Sequence, residues 1–299
     1  MLKVSHISKN YDDIRAIDDL SFEVNSGEIF GLLGVNGAGK TTTFRMIVGL
    51  LEKDQGKITL NGKEIDYSVT DKIGFMTEDR SLLLKLSVKE QIYYYGTLKG
   101  MSKKEIEKEL NYWLERLHIS EFKNKKLKEL SKGNQQKVQF ITSIINHPKL
   151  LILDEPFTSL DPFNVSLLVE ILNEFSKEGT IVIFSSHRME HVELFCDRLL
   201  ILVEGKKVLE GNLKDIKKNY RKKNIHIRGD VLEDDFISVE GVEKVQTTSD
   251  EVIVTIVDDS FIDSIFDIIK KKKNITKFEV ENPSLDEIFI SIVGDVYDK

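Results

Sequence analysis

The nine residues Gly34, Val35, Asn36, Gly37, Ala38, Gly39, Lys40, Thr41 and Thr42 constrain this chain more than any other stretch. They follow the apolar run EIFGLL and open onto TTFRMIVGL, so they join a strand to a helix. The spacing G-x-x-x-x-G-K-[ST] is thus met in the strand–loop–helix setting it requires. Glycines let backbone N–H groups converge on phosphate oxygens without interference from a Cβ, and the helix N-terminus adds positive potential. On this reading Lys40 meets the β- and γ-phosphates of a nucleotide, and the Thr41 hydroxyl serves Mg2+. A plain glycine turn would share the composition but not both flanks.

Loops of this kind occur in kinases, GTPases, helicases and transport ATPases, so the loop alone leaves the function open. A second element narrows it. LLILDEP, residues 150–156, is a buried-strand run that ends in two carboxylates. Asp154 at the strand end suits the magnesium shell, and Glu155 beside it can polarise an attacking water. In an open α/β sheet, ligands gather at the carboxyl ends of strands, where both features fall.

The rest of the chain suits such a domain. Residues 1–215 alternate strand-like runs with helical stretches, which predicts a layered α/β fold with much of the sheet parallel. Residues 87–147 read as helical, with Ser starts and apolar periodicity, and form an inserted helical subdomain. A basic boundary follows at 216–223. Residues 224–299 then give strands IHIRG, VEKVQT, EVIVTIV and ITKFEVE, with LEDDFISV and SFIDSIFDIIKKKK as helices between them. That β-α-β-β-α-β order predicts a small ferredoxin-like α+β module, closed by a helix that starts after Pro283 with Ser284 as N-cap. In 299 residues, 43 basic against 50 acidic side chains leave a net charge of −7, which argues against a nucleic-acid binder. No apolar run approaches the ~20 residues that span a bilayer. The single Cys196 excludes an internal disulfide and fits a reducing compartment. His6, His118, His147 and His226 lack zinc-ligand spacing. Tyr93–Tyr95 with Trp113 reads as helix packing or as a ligand cage. Lys270–Lys273 reads as a helix end or as a contact for anionic lipid.

In these residues the chain resembles the nucleotide-binding subunits of ATP-binding cassette (ABC) transporters over residues 1–215. Tyr11 lies where the family places an aromatic that stacks on adenine. LSKGNQQ, residues 130–136, matches the signature at the start of a helix, with Ser131 and Gly133 retained. SLDP, residues 159–162, matches the loop after the strand carboxylates and brings Asp161 into the nucleotide set. His187 in FSSHRME matches the switch histidine expected to reach the γ-phosphate. Two departures stand out. Lys132 and Asn134 replace a glycine and a glutamine of the usual LSGGQ, and Glu78, in IGFMTEDR, replaces the usual glutamine near the metal and the membrane partner. With LSKGNQQKVQF and the tail NPSLDEIF, the pattern looks most like bacterial cassettes of sodium, drug and bacteriocin-type export.

The resemblance implies a P-loop ATPase with Lys40, Glu155 and His187 as catalytic residues. Thr41, Asp154 and Glu78 then face Mg2+. It also implies head-to-tail dimerisation with a second cassette, a polytopic permease as partner, and a peripheral position on the inner face of the membrane. The alternative is a soluble cassette ATPase uncoupled from transport. Only one cassette is present, and about ninety residues without sustained heptads separate the phosphate loop from the signature, which argues against translation-factor and chromosome-protein architectures.

Overall fold

The computed structural model describes residues 1–65, 67–79 and 81–297. The last two positions of the expected 224–299 module lie outside them. The chain divides into two compact units, 1–211 and 212–299.

The first unit begins with a hairpin, β1 (Leu2–Tyr11) and β2 (Ile14–Val24), followed by β3 (Ile29–Leu33) and α1 (Lys40–Ile47). Next come β4 (Gln55–Leu60), β5 (Lys63–Glu64) and β6 (Ile73–Met76), then the helices α2 (Val88–Leu98), α3 (Lys103–Arg116) and α4 (Lys132–Ile144). The remainder alternates: β7 (Leu150–Asp154), α5 (Pro162–Lys177), β8 (Ile181–Ser185), α6 (Met189–Phe195), β9 (Arg198–Val203) and β10 (Lys206–Asn212). Two sheets result. One runs β2-β1-β4-β5 with antiparallel pairing, and the other runs β10-β9-β3-β8-β7-β6. Within the second, β9, β3, β8, β7 and β6 pair in parallel. Every residue of β3, β7 and β8 is buried, which is why these strands read as unbroken apolar runs and not as alternation.

A single apolar cluster joins the two sheets to α1. Leu2, Ile7, Leu20 and Phe22 meet Phe30, Leu32 and Leu200 across Phe44 and Ile47. Phe22 and Phe30 stack with centroids 5.4 Å apart. Each such buried side chain contributes about 1.5–3 kcal/mol, so the helix behind the phosphate loop sits on a stiff base. The helical insertion is set by its caps. Ser87 and Ser102 each accept from the third residue on, and Glu90 and Glu105 reach back in reciprocal boxes. Trp113 of α3 is buried and stacks on Phe175 of α5, so that ring is packing.

The second unit comprises α7 (Leu213–Asn219), β11 (Lys223–Arg228), β12 (Val242–Thr247), β13 (Val252–Ile256), α8 (Ile262–Ile269), β14 (Lys277–Glu281) and α9 (Leu285–Tyr297). Its sheet order is β12-β13-β11-β14, antiparallel throughout, which is the ferredoxin-like order of strands two, three, one and four. Ile265 and Ile269 of α8 pack on Ile225, Ile227 and Val254. Ser284 caps α9 by accepting from Glu287 N–H at 3.2 Å. Two expectations are corrected. The basic segment expected as a boundary forms α7, because the Asn212 side chain accepts from Lys214 and Asp215 N–H groups, and β11 then starts at Lys223. LEDDFISV is not a helix but a single 3-10 turn over Glu233–Asp235. Phe236 is its single buried apolar residue, too few for a helical stripe, and Leu232 and Ile237 face solvent. Lys270 and Lys272 are paired with Asp267 and Asp235.

Candidate functional site

The parallel strands bring the chemistry to the edge formed by their carboxyl ends. β3 delivers the glycine loop and β7 ends at Asp154, which lies in register with Ser185 at the end of β8. Gly39 precedes α1 with φ 106°, and a Cβ there would lie 2.5 Å from Ile17 Cδ1 and 2.8 Å from the Ala16 carbonyl. Only glycine fits that backbone. No side chain caps α1, so its first N–H groups stay free for a ligand's oxygens.

A cavity of about 590 Å³ opens over this edge, lined by Ala16, Asn36, Gly37, Gly39, Lys40, Thr41, Thr42, Glu78, Glu155 and His187. A larger cleft of about 720 Å³ lies among Lys72, Lys99, Lys108 and Lys149 and contains no residue of the phosphate loop. Size does not decide the site; the converging polar groups do.

Lys40 folds back on its own loop, its ammonium donating to the carbonyls of Gly34 at 2.8 Å and Val35 at 3.1 Å. Burial lowers its pKa, while Glu155, Asp154 and Glu78 act against that shift. The Thr41 hydroxyl donates to Asp154 Oδ2 at 2.8 Å, and Ser185 Oγ donates to Asp154 Oδ1 at 2.6 Å. Magnesium prefers hard oxygen donors, one or two carboxylates with the rest of its shell from phosphate and water. The Thr41 hydroxyl, Asp154 and Glu78 fit that donor set.

Glu155 is held from several sides. Its Oε2 lies 2.9 Å from His187 Nδ1, its N–H donates to Ser185 Oγ at 3.0 Å, and its carbonyl accepts from Gln136 Nε2 at 3.2 Å. Its φ is 53°, a left-handed conformation that costs a side-chain-bearing residue about 1–3 kcal/mol and persists only when neighbours enforce it. Burial raises its carboxyl pKa, and the His187 contact works in the opposite direction. A carboxylate so placed is suited to accept a proton.

The other candidates lie outside the cavity. Tyr11 ends β1, half exposed, with the Lys9 ammonium 5.9 Å from its ring centre. Gly34 and Val35 take part through their carbonyls, and Ala38 is buried. Ser131 caps α4 by accepting from Asn134 N–H at 3.3 Å. Gly133 packs on the Ser159 carbonyl, 2.9 Å from where a Cβ would stand. Asp161 caps α5, its carboxylate taken by Asn164 N–H and Nδ2. Sequence reading missed Ser185 and Gln136. A hydroxyl at the strand end beside the DEP strand was a usable signal for Ser185; Gln136 offered none.

Comparison with known proteins gives the family. Residues 17–158 match the family model described as ABC transporter, and residues 211–293 match that described as the C-terminal domain of DrrA1-3-like ATP-binding proteins. The ABC transporter ATP-binding protein YhaQ of Bacillus subtilis is 47% identical over 298 residues, covering 100% of both chains. The Nod factor export ATP-binding protein I of Rhizobium leguminosarum is 38% identical over 213 residues, 70% of this chain and 68% of that protein. The solved structure of cbiO1 from Clostridium perfringens, part of the ABC transporter complex cbiONQ, superposes with TM-score 0.64 at 32% identity, covering 73% of this chain and 90% of that one. The chain therefore belongs to the ATP-binding subunits of ABC transporters.

Proposed function

We propose that this cassette hydrolyses ATP as one half of a head-to-tail dimer and drives export through a separate polytopic membrane subunit, from the inner face of the membrane. The convergence of Lys40, Thr41, Glu78, Glu155 and His187 on one cavity carries the reading. The export relative favours that direction, and the finer sodium, drug or bacteriocin class rests on the sequence pattern LSKGNQQKVQF with NPSLDEIF. The multi-subunit complex of cbiO1 favours a membrane partner. No helix among the described residues is long and apolar enough to cross a membrane.

The residues divide the work by position. The Lys40 ammonium exchanges the Gly34 and Val35 carbonyls for phosphate oxygens, a charge-assisted replacement for two neutral acceptors. Glu155 takes the proton of the attacking water, and its raised pKa makes it a better acceptor than an ordinary carboxylate. His187 holds that carboxylate through Nδ1 and leaves Nε2 for the terminal phosphate. Thr41, Asp154 and Glu78 would hold Mg2+, which supplies charge neutralisation at the phosphates. Tyr11 stacks on adenine. Ser131 and Gly133 act on the ATP of the second cassette, and Asp161 keeps the adjoining loop in place. The C-terminal unit serves dimer contacts or regulation.

Glu155→Gln tests the scheme. The variant should bind ATP, hydrolyse it at least 100-fold more slowly, the scale of losing a general base, and accumulate as a nucleotide-bound dimer in light scattering. A strictly monomeric variant with unimpaired turnover would overturn the proposal.

A further inference from the structure

The helix that carries the signature turns a row of polar positions toward the carboxylates. Gly133, Gln136 and Gln139 stand at three-residue steps on α4, and so share a face. Each meets a loop carbonyl. Gly133 packs on Ser159 O, Gln136 Nε2 donates to Glu155 O at 3.2 Å and Pro156 O at 3.1 Å, and Gln139 Nε2 donates to Thr77 O at 2.8 Å. Thr77 precedes Glu78, so the row grips the main chain at both acidic segments of the cavity. Gln136 is only 3% exposed, so neither of its hydrogen bonds competes with bulk water.

Glu155 needs such a grip. Its left-handed backbone must be imposed by its neighbours: one side chain holds its N–H, and one side chain, with the Thr158 N–H of the adjoining turn at 3.3 Å, holds its carbonyl. Ser185 holds the N–H and at the same time binds Asp154, so that tie stays within the sheet. Gln136 holds the carbonyl from the helix that bears Ser131, so that tie runs to the helical insertion. The Glu155 side chain leaves the backbone between these two points, and a small rotation there swings the carboxylate away from the water it must meet.

We propose that Gln136 is a positioning residue for hydrolysis, its amide fixing Glu155 through the main chain so that the carboxylate is aimed only while α4 is docked. The proposal rests on Glu155 being the group that activates water. It leaves nucleotide binding alone, because Gln136 does not line the cavity.

The test uses the full-length chain and four variants: Gln136→Met, which keeps the volume and removes the donor; Gln136→Asn, which keeps the amide and shortens its reach; Glu155→Gln; and Gln136→Met with Glu155→Gln. Gln136→Met should lower kcat by about 10- to 100-fold, the scale of a 1 Å misplacement, with KM and fluorescent-ATP affinity changed less than about threefold. Gln136→Asn should do the same, and reads out the role even if the Met variant melts early. In single-turnover assays, adding Gln136→Met to Glu155→Gln should cost little more, because the group it positions is already disabled. Wild-type kcat in both Gln136 variants, or an equal further loss in the double variant, overturns the positioning role while Glu155→Gln stays slow. Full turnover in Glu155→Gln alone overturns the reading of Glu155, and the proposal with it.

Discussion

His187 Nδ1 lies 2.9 Å from Glu155 Oε2, an exposed imidazole closing on a buried carboxylate. The pair sets opposing influences on one proton acceptor. Burial pushes the Glu155 carboxyl above the ordinary carboxylate range, and His187 pulls it back by hydrogen bond and charge. The acid limb of kcat/KM, which reports the free enzyme's essential base, should therefore fall above the pH of an ordinary carboxylate. In His187→Ala the opposing pull is gone, so the limb of the residual activity should move to still higher pH. A pH profile measured on both proteins checks this, and an unmoved limb would refute it.

The same burial bears on stability. With its pKa raised on folding, Glu155 binds its proton more tightly in the folded chain than in the unfolded one. Its contribution is complete below the unfolded carboxylate pKa and is lost as pH rises through the folded value. Near neutral pH the ionised side chain is a net cost, which a neutral isostere removes. Glu155→Gln should thus melt at higher temperature than the wild type at about pH 8, with the difference closing toward about pH 4. Thermal melts across that window, without nucleotide, give the comparison. A variant that melts lower at every pH contradicts it.

Ser131 has two separable duties. In the isolated chain it is the N-cap of α4. In the proposed dimer it faces the other cassette's γ-phosphate. Ser131→Ala removes both and should cost about 1 kcal/mol of stability in urea unfolding. Ser131→Asp keeps a capping oxygen and adds charge at a helix start, so its stability should stay close to wild type. Its carboxylate would repel phosphate, however, and in the Glu155→Gln background it should abolish the ATP-driven dimer. A dimer that survives Ser131→Asp would remove Ser131 from the composite site.

Much of the site was legible because its features are local. The glycine loop announces itself by flanks and spacing, and the apolar runs ending at Asp154 and Ser185 mark strands buried on both faces. Ser87, Ser102 and Ser284 each cap the helix they were expected to start. What the sequence hid is long-range or depends on a few side chains. The positive φ of Glu155 is not written in its own segment alone, since beside the local turn to Thr158 its backbone is held by Ser185 and Gln136, far along the chain on either side. The antiparallel β2-β1-β4-β5 sheet was not separated from the parallel one, because strand runs do not state their partners. At 216–223 a basic composition suggested a boundary, yet one capping Asn212 suffices to start a helix, Leu213–Asn219, that runs into it.

The position of the unit boundary gives the last prediction. Every residue lining the nucleotide cavity, from Ala16 to His187, belongs to the unit that ends at Gly211. The second unit has its own core of Ile225, Ile227, Phe236, Val254 and Ile265. Truncation after Gly211 should leave ATP affinity within about twofold of the full chain, the spread expected when no contacting residue changes. If the second unit serves dimer contacts, the truncated Glu155→Gln protein should need about tenfold more protein to form the ATP dimer, equivalent to 1.4 kcal/mol. Sedimentation over a concentration series with ATP and magnesium measures that shift. A folded truncation that loses ATP affinity would place part of the nucleotide site in the second unit, whereas unchanged dimerisation would leave that unit a regulatory role alone.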